Sequence, residues 1–195
     1  MIIIPSPSPP IYGTNASDVL TGTNDDDILH GNEGNDYLYD DAGEDLLHGN
    51  DGNDELYGGD GNDFLHGGAG YDEMSGGDGY DEMSGGDGRD RFHYQYPNEG
   101  WDTIHDFQVG SGVDADVINL ENLLYDYDSS DPAKNDITKF ISFNDDGTDT
   151  TLIISPFGRG VFNIFSNSQV VVIYLQQVTG VSLSDMINDG NIVLV

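Results

Sequence analysis

The chain has 195 residues, enough for one or two domains. Its 37 acidic side chains stand against five basic ones, which excludes nucleic acid and anionic membrane surfaces as partners. It has no cysteine, so disulfides and thiol nucleophiles are excluded, as suits a chain exported unfolded without covalent staples.

Met1 to Tyr12 reads MIIIPSPSPPIY. Three isoleucines without a basic flank are too few for a signal peptide or a membrane span. The Pro/Ser run predicts a stiff, extended linker over 1–12, joined to large upstream domains of the same chain. A frayed terminus is the other reading.

From Gly13 to His93 one nine-residue unit is written nine times. An aspartate recurs at Asp18, Asp27, Asp36, Asp45, Asp54, Asp63, Asp72, Asp81 and Asp90 without a slip. Two residues after each comes an apolar side chain, from Leu20 to Phe92. Gly58 to His66, GGDGNDFLH, shows the full pattern G-G-x-G-x-D-x-U-x, with U apolar. The last three places read as a short strand with U turned inward. The first six, rich in glycine, read as a turn. Strand, turn, strand, turn makes a coil of eighteen residues, and stacked coils pair their strands about 4.8 Å apart. The aspartates then form two close rows that repel strongly. A hard cation with oxygen ligands at ~2.3–2.6 Å resolves this, and glycine turns offer carbonyls as further ligands. Without such a cation the block reads as a disordered acidic tail.

The departures from the pattern are informative. Ala16 and Asp25 stand where the fourth-place glycine belongs, and Asp40–Asp41 replaces a Gly-Gly pair. The early coils are therefore expected to be looser cation sites or a cap. Asn32 and Asn50 take the second place, where asparagine tolerates a left-handed backbone. Ninth-place residues put a His30–His48–His66 column on one face and Tyr39–Tyr57 on the other. Beside the histidines, Ile28, Leu46 and Phe64 make an apolar strip, expected to contact the C-terminal region or another molecule. For the column, simple ladder packing and a partner surface or weak transition-metal site are both open.

From Tyr94 onward the period stops. Trp101–Phe107 and Ala115–Leu120 predict strands joined by a glycine turn, with Trp101, Ile104 and Phe107 plugging the open core. Ile137–Asn144 and Thr150–Ser155 flank an Asp-Asp-Gly turn and predict a hairpin. Gln169–Leu175 predicts a buried strand. Ser182–Ile187 predicts a short helix with Ser182 as N-cap and Asp185 closing a capping box. Asn191–Val195 predicts a terminal strand. Asp126, Asp128 and Asp131 are close enough to hold a cation or to form a solvated acidic loop.

The nine registered units resemble the calcium-binding nonapeptide repeats of RTX (repeats-in-toxin) proteins. The segment D-T-I-x-D-F, a glycine-containing loop and D-x-I-x-L close such rolls in many exported proteins. Asp102, Ile104, Asp106, Phe107, Asp116, Ile118 and Leu120 fit that pattern, and Leu175–Val181 is close to the family's L-x-G-V-like stretch. The resemblance implies an all-β fold: a parallel β-roll over 13–93, then a β-rich capping and type I secretion signal region over 94–195 with one short helix. In that family each ion lies between units eighteen residues apart. One turn gives its second and fourth carbonyls and its aspartate; the other gives its first and third carbonyls and its aspartate. Carried over, this implies a site of Gly59, Gly61 and Asp63 with Gly76, Asp78 and Asp81. On the opposite edge it implies Gly68, Gly70 and Asp72 with Gly85, Asp87 and Asp90. Towards the N-terminus it implies Asn50, Gly52 and Asp54 with Gly67 and Ala69, and Gly43 and Asp45 with Gly58 and Asp60. Further on come Asn32, Gly34 and Asp36 with Gly49 and Asp51, then Asp18 with Gly31 and Glu33, and Asp27 with Asp45. Gly77 and Gly79 belong to a last site, completed by Asp102 and Asp106. That makes about seven to eight calcium ions.

What the resemblance implies for function is the calcium-binding C-terminal part of a large exported bacterial protein, above all a surface adhesin, with the type I secretion machinery as partner. Its location is then secreted or on the cell surface. The alternative is a carbohydrate-binding accessory module of an extracellular polysaccharide-modifying enzyme. No H-E-x-x-H or G-x-S-x-G occurs. Four of the five histidines, His30, His48, His66 and His93, are ninth-place residues, so no enzyme is expected in this segment.

Overall fold

Side chains that the repeat places eighth all face inward, and that file sets the architecture. The computed structural model describes residues 9–96, 99–120, 123, 141–154 and 171–193. Within them the repeats form β1 (Ile11–Tyr12), β2 (Val19–Thr21), β3 (Ile28–Glu33), β4 (Tyr37–Tyr39), β5 (Leu46–Asp51), β6 (Glu55–Asp60), β7 (Phe64–Gly70), β8 (Glu73–Asp78), β9 (Glu82–Gly88) and β10 (Arg91–His93). Beyond the repeats come β11 (Trp101–Ile104), β12 (Val117–Asn119), β13 (Ile141–Asp145), β14 (Thr150–Ile154), β15 (Val171–Leu175), α1 (Leu183–Asp189) and β16 (Ile192–Val193). One sheet runs β1-β3-β5-β7-β9-β11-β15-β14-β13 and the other β16-β12-β10-β8-β6-β4-β2. All pairings are parallel except those of β14 with β13 and β15. The fold is an all-β solenoid with one short helix.

Between the two sheets lies a continuous apolar core. On one side Leu29, Leu47, Leu65, Met83, Ile104 and Leu175 stack in register; on the other Leu38, Leu56, Met74, Phe92, Ile118 and Ile192 do. These side chains are between 0 and 3 % exposed. The file therefore runs past the end of the nine-residue period: both sheets continue through position 93. At the far end, β16 pairs with β12, and α1 has the expected capping box between Ser182 and Asp185. The Asp-Asp-Gly hairpin is β13–β14, its turn held by Asp145 and Asp146 carboxylates accepting from Gly147 and Thr148 N–H groups.

Several expectations need correction. Strands in the regular block run six or seven residues, not three, because the first-place glycine continues the inward alternation. Gly58 faces in because a Cβ there would collide with Asp63 Oδ2 and stand 2.7 Å from the Gly76 carbonyl oxygen. β4 stops at Tyr39 because Asp40, not glycine, follows. Trp101 does not plug the core: it is 55 % exposed and faces Tyr80 outside, while Ile104 and Phe107 are buried. β11 and β12 do not pair with each other; each extends a different sheet. Tyr174 points outward from β15, whereas Val172, Ile173 and Leu175 are buried. Asp126, Asp128 and Asp131 lie outside the described residues, as do parts of the strands predicted at 137–144, 150–155 and 169–175.

The outer ladder also differs. Tyr12, His30 and His48 stack at 5.0 and 4.9 Å with nearly parallel rings, but His66 meets His48 edge-on. The next coil offers Ser84 in place of a ring, so nothing holds His66 parallel. Ile28 and Leu46 are half-buried and Phe64 is exposed, because the C-terminal strands extend the sheet edge instead of crossing its face.

Inward and outward positions predict very different sensitivities. Leu56→Ala empties a fully buried site and lowers stability by about 2–5 kcal/mol in saturating calcium, whereas Phe64→Ala changes it by less than about 1 kcal/mol. Urea unfolding of the two variants checks this; equal losses would mean that the strip is covered.

Candidate metal centre

Each sixth-place aspartate is fixed by the coil before it. The backbone N–H of Asp36 donates to Asp54 Oδ1 at 2.7 Å, that of Asp54 to Asp72 at 2.8 Å, and that of Asp72 to Asp90 at 3.0 Å. On the opposite edge Asp27, Asp45 and Asp63 donate in the same way to Asp45, Asp63 and Asp81 at 2.8–2.9 Å. Two files of carboxylates thus run along the roll, each group pinned by one oxygen.

The other oxygen is left alone. Oδ2 of Asp36, Asp45, Asp54, Asp63, Asp72, Asp81, Asp90 and Asp102 is buried without a hydrogen-bond partner. A buried, partnerless carboxylate oxygen is costly unless a cation or proton meets it. Carbonyls gather at the same places. A Cβ on Gly77 or Gly79 would collide with the carbonyl oxygens of Gly59 and Gly61, so the second- and fourth-place carbonyls face the following coil. The Gly76 carbonyl faces back towards Gly58, and Asp78 O accepts from Gly61 N at 2.8 Å. The same relations hold for Asn50 and Gly52 towards Gly68 and Gly70, and for Gly67 and Ala69 back towards Gly49 and Gly52. Second-place backbones must be left-handed to aim these carbonyls: φ is 81° at Asn32 and 78° at Asn50. Among the described residues no three His, Asp or Glu side chains converge. Two carboxylates with carbonyls suit a hard, oxygen-seeking cation such as calcium, not an imidazole-seeking metal.

Burial is the leading cause that pushes these carboxyls up, opposed by the backbone N–H each accepts. Asp54, Asp63 and Asp90 rise to about 6, and Asp72 and Asp116 to about 7. Asp81 also rises, through burial and the charge of Asp63, and Asp102 through burial and the charge of Asp81. A bound divalent ion would reverse this and keep the row ionised.

Not every expected residue joins the row. Oδ2 of Asp18 accepts from the N–H and hydroxyl of Thr14, and Oδ2 of Asp27 from those of Thr23. Asp106 is not orphaned either: its oxygens accept from Gly85 N, Gly86 N and the Ser84 hydroxyl. Asp102 does take a ladder place, its Oδ1 accepting from Asp81 N at 3.0 Å. Asp116 does the same for Asp90 at 2.9 Å, and it was missing from the ligand set drawn from the sequence. Its signal was present: Asp102–Ile104 and Asp116–Ile118 keep the aspartate-plus-two spacing. They fall twelve and fourteen residues after the preceding aspartate, not nine. Also missed was Asp40, whose buried carboxyl lies against Gly22 and is pushed by burial up to about 7.

These shifts set a pH dependence for the cation-free roll. The folded pKa values lie above the unfolded value near 4, so the carboxyls' contribution is present below about pH 4 and lost as pH rises through 6–7. His48, held down by burial and its neighbouring imidazoles, works oppositely, but it is one group against many. In chelator, strand circular dichroism should therefore grow as pH falls from 8 to 5, while the calcium midpoint rises because protons compete. A strand signal independent of pH would rule out relief of the row by protonation.

Comparison with known proteins bears on the same stretch. Residues 12–45, 39–74 and 72–94 match the family model of the RTX calcium-binding nonapeptide repeat. No curated protein sequence matches the chain. Among solved structures, the AlgE6R2 subunit of the Azotobacter vinelandii mannuronan C5-epimerase is 22 % identical, with 95 % of this chain and 92 % of that one covered, at a TM-score of 0.36. The AlgE6R3 subunit from the same organism is 21 % identical over 87 % and 78 % of the two chains, at 0.35. The extracellular lipase LipA from Serratia marcescens is 17 % identical over 98 % of this chain and 41 % of its own, at 0.36. The stretch that matches the RTX calcium-binding repeat model, residues 12–94, folds as a parallel β-roll.

Proposed function

We propose that this chain is a calcium-gated folding module of a large exported bacterial protein, a surface adhesin in the first instance, whose region 94–195 directs type I export. The observation that carries the reading is the row of buried Asp Oδ2 atoms without partners. Between Gly13 and His93, 22 acidic side chains face two basic ones, and only one residue in nine is a core apolar. Such a chain cannot offset the entropy of ordering by apolar burial alone. Extracellular calcium modules bind at roughly 10⁻⁴–10⁻³ M. With free calcium tenfold above Kd, each site adds about 1.4 kcal/mol, and seven add about 10 kcal/mol, which is the stability of an ordinary domain. Far below Kd they add almost nothing. The chain is then unfolded and export-competent inside the cell and folded outside, where folding opposes back-sliding.

A second reading, a glycan-binding accessory module, is favoured by one feature. Tyr80 and Trp101 are both more than half exposed, with ring centroids 6.4 Å apart and planes tilted by 56°, and present two neighbouring aromatic rings on the roll.

Circular dichroism at pH 8 with calcium and with excess chelator tests the gate: strand signal should appear only with calcium, and its survival in chelator at that pH would refute the proposal. Export of a fusion lacking residues 183–195 tests the secretion role, which undiminished export would remove. A glycan array on wild type and Trp101→Ala separates the readings: Trp101-dependent binding supports the accessory module.

A further inference from the structure

We infer that neutral hydrogen-bond donors close both carboxylate files at their N-terminal end and the file of Asp116 at its C-terminal end, so that the cation-binding window starts at Asp36 and Asp45 and runs to Asp102 and Asp116. This rests on the calcium reading above and alters which residues serve it. At the N-terminal end, Thr14 donates its N–H at 2.6 Å and its hydroxyl at 2.8 Å to Asp18 Oδ2. Thr23 donates both to Asp27 Oδ2 at 2.7 Å. Those are the oxygens that stand partnerless in every later repeat. Both threonines take the second place of their units, in the shared opening G-T-N, and both units lack the fourth-place glycine. Each hydroxyl also accepts from the N–H two residues on, at 3.2 Å, which locks the turn shut.

Closure at the other end uses different groups in the same way. Asp116 Oδ2 accepts from Gln108 N at 2.7 Å, and the Gln108 side-chain amide donates to Gly86 O at 3.3 Å. Asn191 in turn donates to Asp116 O at 2.8 Å and accepts from Gly110 N at 3.0 Å. Between the two closures, the ladder hydrogen bond joins seven successive aspartate pairs whose earlier member has a free Oδ2. The number of gaps thus equals that from the nine-residue period, but the window has slid two units towards the C-terminus.

Calcium stoichiometry of the full chain, by equilibrium dialysis, tests this. Asp18→Asn with Asp27→Asn keeps the wild-type count, whereas Asp102→Asn with Asp116→Asn loses about two ions. Any loss in the first variant overturns the N-terminal closure, and an unchanged count in the second overturns the extension. If the second variant lacks strand signal in saturating calcium, the threonines decide the N-terminal closure. Thr14→Val with Thr23→Val should lower the thermal midpoint at unchanged stoichiometry, with serine at both positions restoring it; a lowered ion count there overturns the closure. A wild-type chain that binds no calcium removes the calcium reading itself, and the inference with it.

Discussion

The roll depends on a single backbone-to-carboxylate hydrogen bond, repeated every eighteen residues. The N–H of one aspartate holds Oδ1 of the next aspartate in its file. This fixes the distance between coils, buries one carboxylate per turn and leaves its second oxygen without a partner. In an ordinary domain a buried charge is tolerated where it is paired. On the proposed reading the pairing partner is an external cation, which ties the fold to the ionic composition of its surroundings. The apolar file gives the coils a common axis but too little burial to order the backbone around it.

Much of this was legible because the constraint is periodic. A side chain every nine residues, with no slip, can satisfy only a structure that returns to the same place every eighteen. The asparagines at positions 32 and 50 could be read as left-handed because few other residues replace glycine there, and φ near +80° bears this out. The helix caps of Ser182–Asp185 and the Asp-Asp-Gly hairpin are local features with local causes, and they stand as read.

What was hidden depends on contacts between distant residues. Asp102 and Asp116 continue the files, but short insertions before each break the period, so counting in nines ends at Asp90. Once the coil is closed, the aspartate returns to its row in spite of the added residues. Threonine at positions 14 and 23 carries no signal in a pattern read through its glycines and aspartates. In three dimensions each hydroxyl reaches four residues along to the carboxylate that would otherwise stand open. Trp101 was assigned to the core by size, but alternation along β11 places Asp102 and Ile104 inside and leaves Trp101 outside. Size is a weaker guide than register where the strand period is two.

The ends of a solenoid carry a particular burden, since each interior coil is satisfied by two neighbours and each terminal coil by one. Apolar burial at the far end is completed by Phe107, Met186 and Ile192. The carboxylate files need a separate ending, because an uncompensated last aspartate would leave one side of a charged gap without its carbonyls. Hydroxyl and amide donors meet that need without adding charge, and they do not depend on calcium. The turns at Asp18, Asp27 and Asp116 are therefore held by donors that do not depend on a cation. On the proposed reading, the response to calcium is confined to the coils between them.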